Sequence, residues 1–389
     1  RHPGVLAVFR RYPGLLAAFH LADPSCAEVI ADTRGLRPEL VRVIPECVVN
    51  KLIIPALVAL FLVGCTGNNR EVFNATQMGN IGAMEQALAK DPASANGWRN
   101  GETPLHVAVL NDDIDAVKLL LEHGADVNAV DYLGETPLTR AASNASAKVV
   151  SLLVNAGVPM DQVNKEGETP LLIAMGNKNE AAANQLLDLG ASVNTCGERN
   201  LSPLHRCVCT CGEALAVRLL DAGANIDART NDGWTALNMA AYYSKPDMVK
   251  ILLEHGADME LATDLDWTPL HENAFAGDED ICIMLLDKGA DVEARNRGKL
   301  TPLILAAQEG HLELVKLFLD HGADINARAD TGGTALYSAV SNNHADVVAL
   351  LLNRGADPNL KMTWWSPLGV AEKQGYNEVA NLLREHGAQ

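Results

Sequence analysis

Sulfur and imidazole crowd one short stretch of this chain. LHRCVCTCG holds His205, Cys207, Cys209 and Cys211, and Cys196 stands shortly before it. Thiolates and imidazoles are zinc ligands, and paired thiols can close a disulfide. Side chains two apart on a helix do not face one another, however, so the three thiols of the stretch diverge. A metal site, a Cys196–Cys209 disulfide and a set of free thiols are the alternatives, with Cys282 in the core of its own helix. Elsewhere there is no Gly-rich phosphate loop, no nucleophile elbow and no HExxH zinc motif. Carboxylates are many, but none stands out as half of an acid–base pair. The chemistry expected is therefore binding rather than catalysis, with no cofactor.

The elements that carry these residues repeat. GETPLHVAVL begins at Gly101, GETPLTRAAS at Gly134 and GETPLLIAMG at Gly167. The hydroxyl residues Thr103, Thr136, Thr169, Ser202, Thr235, Thr268, Thr301 and Thr334 are 33 apart, and Ser366 follows after 32. A fixed period of this length marks a stacked array. Thr103 is placed to cap a short helix, and Pro104 suits its first position. Ala108 is small where a neighbouring helix pair must approach. Val117, Leu119, Leu120 and Leu121 give a second helix its buried face, which Gly124 ends as a left-handed cap. Such a pair cannot bury its apolar side alone, so stacking is obligatory.

With its TPLH start and its period, the sequence resembles the ankyrin repeat from about residue 70 to the end. The resemblance implies an all-α solenoid of about ten helix-turn-helix units with β-turn fingers and a concave face that binds another protein. Residues 72–100 would form the N-terminal capping repeat, 101–364 eight repeats, and 365–389 the C-terminal cap. In this family the TPLH imidazole, here His106, His205 and His271, serves hydrogen bonds at the turn and between units. His123, His255, His321 and His386 precede the glycine that ends the second helix.

By the same resemblance, the residue before the hydroxyl and the pair seven and eight beyond it face the groove. These positions hold Glu102, Glu135 and Glu168 in the early units, an acidic row. Later they hold Trp234, Trp267, Tyr242, Tyr243 and Phe275. Aromatic residues make up only 4% of the chain, so five on one face of two adjacent units are a candidate partner-binding surface. Trp364 and Trp365 are expected to cover the end of the stack.

The formal net charge is −18; residues 1–64 carry seven Lys/Arg against five Asp/Glu, which leaves about −20 for the rest. Nucleic acid is an unsuitable partner for such a surface, whereas a basic protein fits it. The chain is expected to work as a monomer. Ahead of the array, residues 52–63 form an apolar run containing Pro55, too short to span a bilayer but suited to a signal-peptide core. Leu62-Val63-Gly64-Cys65 after it resembles a bacterial lipobox, which implies diacylation at Cys65 and a mature chain beginning there. On that resemblance, residues 48–64 are the signal peptide, 65–71 a tether, and 1–47 upstream sequence ahead of an alternative start at Val48 or Val49. Thr66 after the cysteine implies the periplasmic face of the outer membrane. The alternatives are a cytoplasmic or secreted adaptor and, further off, a metal or redox protein built on the cysteine cluster.

Overall fold

The computed structural model describes residues 68–389, so the assignments that fall on 1–67, Cys65 among them, lie outside the described residues. Twenty helices form ten successive pairs, from Asn68–Gln77 with Ile81–Lys90 to Pro367–Gln374 with Asn377–Glu385. First helices stack on first helices and second on second, and the principal contacts of each pair are with its sequence neighbours. Among the described residues there is no strand, only isolated antiparallel bridges of Arg99 with Glu102 and Met362 with Trp365. The architecture is the expected all-α solenoid.

Two details differ from the expected boundaries. The first helix starts at Asn68, inside the stretch read as a tether. Val72 and Phe73 are buried, and the turn ahead of them gives these side chains a helical frame. At the other end Trp364 is 88% exposed and covers nothing, while Trp365 lies beneath the Lys373 ammonium, 4.4 Å from its ring centroid.

Each unit is built from its own sequence signals. Thr103, Thr136, Thr169, Ser202, Thr235, Thr301, Thr334 and Ser366 accept a hydrogen bond from the amide three residues on, which satisfies one orphan donor of the first helix. Loss of such a cap costs about 1 kcal/mol. The small-residue slot holds Ala108, Ala141, Ala174, Cys207, Ala240, Ala306, Ala339 and Ala371, all fully buried. One column of the second helices runs Leu120, Leu153, Leu186, Leu219, Leu252, Leu285, Phe318 and Leu351, again without exposure. Gly124, which ends a second helix, has φ +75° with open space where a side chain would stand. Its backbone, not crowding, requires glycine.

In three units a TPLH imidazole forms a bond to the next unit. His106 Nδ1 is 2.8 Å from Thr103 Oγ1, and its Nε2 is 3.1 Å from the Glu135 carbonyl in the following finger. His205 repeats this with Ser202 and the Trp234 carbonyl, His271 with Thr268 and the Leu300 carbonyl. A carbonyl only accepts, so the proton sits on Nε2, and Nδ1 takes the hydroxyl hydrogen. In the unit of Thr235 an amide makes a related link: Asn238 Oδ1 accepts from Thr235, and Nδ2 donates to the Leu261 carbonyl of the next unit at 3.1 Å.

Burial holds all three imidazoles below their ordinary value of 6.5. The folded array therefore binds fewer protons than the unfolded chain as pH falls through that value, and stability is lost below it. In a Glu272→Gln background, which removes the opposing carboxyl, thermal unfolding followed by circular dichroism should show Tm falling between about pH 7 and about pH 5. The drop should be shallower in the triple variant His106→Asn, His205→Asn, His271→Asn, in which an uncharged amide replaces each imidazole.

Candidate protein-binding face

Fingers and first helices together line one face of the array. The fingertips are tied along it by main-chain bonds: Asn231 N–H donates to the Arg199 carbonyl, Asp264 to Asp232 and Arg297 to Leu265, at 3.0–3.2 Å. Side chains projecting from this scaffold are thus held at a nearly constant step from unit to unit.

The early units do not present a free acidic row, and the sequence-based expectation is corrected here. Arg140, on helix Pro137–Asn144, donates to Glu102 at 2.9 Å and to Glu135 at 2.8 Å, and it is clamped by the buried carboxylate of Asp131. Arg206 pairs likewise with Glu168. Burial pushes the Glu135 carboxyl up in spite of Arg140. Burial works against the Arg140 charge too, but the hydrogen bond and charge of Asp131 prevail and raise it. Glu102, Glu135 and Glu168 are therefore mostly spoken for by two arginines whose role the period alone did not reveal. A positively charged residue in the helix position that elsewhere holds Val107 or Ile173 was the available signal.

The five aromatic residues do gather, in two groups. Trp234 meets Tyr242 edge to face at 5.3 Å between centroids, and Tyr242 meets Tyr243 at 5.2 Å. Trp267 meets Phe275 at 5.9 Å and lies against His271 at 6.2 Å. The two tryptophans are half-buried, whereas Tyr242, Tyr243 and Phe275 are 55%, 50% and 44% exposed. The rings brace one another and still offer their surfaces to solvent. Tyr243 and the exposed Cys209 are electrostatic neighbours at the edge of the patch.

On the helix that carries Phe275 stands a residue the sequence reading passed over. Glu272, on helix Pro269–Ala276, is only 9% exposed and has no hydrogen bond or ion pair. It occupies the helix position of Arg140 and Arg206. Those arginines reach a carboxylate 38 residues back, Glu102 and Glu168. The same step from Glu272 leads to Trp234, and its own finger supplies Trp267. Burial pushes its carboxyl up to about 7. Asn273 beside it fills the small-residue slot, and its Oδ1 is buried without a partner. Consecutive buried polar groups without compensation are costly. A shallow open depression of about 400 Å³ adjoins the patch, lined by Ser244, Ala276, Gly277, Asp278, Glu279 and Asp280.

The cysteines lie as follows. Cys196, Cys207, Cys209, Cys211 and Cys282 are all free thiols, so the Cys196–Cys209 disulfide is not formed. Among the described residues no group of three or more His, Cys, Asp or Glu is arranged to hold a metal ion. Cys207 Sγ donates to the Gly212 carbonyl at 3.8 Å and Cys211 Sγ lies 3.4 Å from the Thr210 hydroxyl; the two thiols act on one another, which lowers that of Cys211 to about 7 and raises that of the buried Cys207. Their spacing of four was the signal to read, rather than the spacing of two.

The Glu272 environment has a sign that can be checked. Its folded carboxyl keeps a proton to about pH 7 that the unfolded chain gives up near 4.5, so stability falls as pH rises through that window. Glu272→Gln, which mimics the neutral form, should stabilise the array on the order of 3 kcal/mol at pH 8. At pH 5 wild type and variant should unfold at nearly the same temperature in a calorimeter.

No curated protein matches the chain. A family model described as ankyrin repeats in three copies matches residues 56–157, 129–197, 204–296, 293–362 and 331–389. These matches cover most of the chain, and they fall on the same helix pairs, caps and imidazole links. The chain belongs to the ankyrin-repeat family.

Proposed function

We propose that the chain is a non-catalytic scaffold that captures a protein partner on the face carrying Trp234, Tyr242, Tyr243, Trp267 and Phe275. Ankyrin repeats indicate a protein-interaction scaffold. One observation carries the choice of surface: rings otherwise scarce in the chain stand together on two adjacent units, mutually braced and partly open to solvent. Rigid aromatic anchors of this kind dominate the energy of interfaces. Trp234→Ala with Trp267→Ala should weaken partner capture by about a hundredfold while leaving the helical circular dichroism unchanged. Undiminished capture by the double variant would remove the aromatic face from the binding surface.

The same proposal anchors the scaffold in the bacterial envelope through a lipid on Cys65, facing the periplasm from the outer membrane. It rests on the apolar run 52–63 and the Leu62-Val63-Gly64-Cys65 sequence after it. Labelled palmitate fed to cells should enter the wild-type chain and not Cys65→Ala. Equal labelling of both, or of neither, would favour the cytoplasmic or secreted adaptor.

A further inference from the structure

A scaffold face says little about its ligand unless something in it is left incomplete. The aromatic patch holds one such feature. Glu272 is nine-tenths buried, carries no hydrogen bond and no ion pair, and lies in the row whose other charged members, Arg140 and Arg206, are both matched by opposite charge. Among the described residues no cation comes to it: burial alone acts on its carboxyl. Around it the positions that elsewhere supply the matching charge are occupied by Trp234 and Trp267.

Resting on the reading of this face as the partner-binding surface, we propose that the space between Trp234 and Trp267 is a pocket for one lysine or arginine side chain of the protein partner, whose charge Glu272 neutralises. Three independent features suit that occupant. Tryptophan and tyrosine faces attract a cation held within about 6 Å of the ring, more strongly when water is excluded. A buried carboxylate completes the pair, and its own desolvation has already been borne by the fold, so the incoming cation meets a preorganised site. The adjoining depression is rimmed by Asp278, Glu279 and Asp280, none of them in an ion pair, and it extends the same sign of potential outward. An anionic or purely apolar segment would leave Glu272 buried and unmatched, or would repel it. The basic character that the overall charge of −18 suits in a partner is thereby given an address, on the seventh unit rather than on the arginine-paired glutamates of the second to fourth.

The test uses the full chain and randomised twelve-residue peptides displayed on phage, selected for binding to it. Enriched peptides should share a lysine or arginine at one position. The synthetic peptide should lose about tenfold or more in affinity when that residue becomes norleucine or alanine, and a similar factor against Glu272→Gln. Because Glu272→Gln is expected to fold at least as stably as wild type, a loss there cannot be laid to unfolding. Peptides that depend on Trp234 and Trp267 but bind Glu272→Gln as tightly as wild type would overturn the cation pocket and leave the binding face standing. Selected peptides that bind the Trp234→Ala, Trp267→Ala variant undiminished would overturn the binding face itself.

Discussion

The constraint on which this array depends is contact between neighbouring units, and at His106, His205 and His271 it takes the form of a hydrogen-bond relay from hydroxyl to imidazole to the carbonyl of the next finger. The relay closes the N-terminus of a first helix and joins that helix to its neighbour in a single stroke. A solenoid has no distant contacts to fall back on, so its cohesion is the sum of such nearest-neighbour terms. At Asn238 an amide links its unit to the next without a titratable ring, whereas Leu172 and Ile304 hold the same position with apolar side chains. The fingertip main-chain bonds then follow, because the carbonyl that takes the imidazole hydrogen belongs to the finger itself.

That regularity is what makes the irregular residues informative. On a lattice with a fixed step, a side chain at one helix position meets the finger residue one unit back. Where arginine occupies the position, a glutamate is there to meet it, and the charges cancel locally. Where Glu272 occupies it, tryptophan is there instead, and the charge is left over. Asn273, forced into a slot that otherwise takes alanine or cysteine, adds an orphaned oxygen to the same turn. The seventh unit is thus the least self-satisfied part of the array, and it coincides with the exposed aromatics.

The cysteine cluster shows the opposite case, a chemically suggestive stretch that the fold disperses. Cys207 is a buried substitute for alanine, Cys209 looks outward to Tyr243, and Cys196 stays in its finger. Only Cys211 acquires a neighbour, Cys207, through the helical spacing of four. Density along the chain is a poor guide to proximity when successive residues turn about 100° around a helix axis.

The number of units, their caps, the small-residue slot and the leucine column were determined by the sequence by itself, while the roles of His106, His205 and His271 followed from the family resemblance. The former depend on a local signal or on a period, and both are visible in one dimension. The resemblance to the ankyrin repeat implied one face for the five aromatic residues. Their mutual contacts, the neutralisation of Glu102, Glu135 and Glu168, the solvent-facing Trp364 and the isolation of Glu272 were decided only by the tertiary structure. Those outcomes turn on which side chains from different units meet across a step of 38 residues rather than 33. That step is set by how one unit sits on the next, and the repeat length does not contain it.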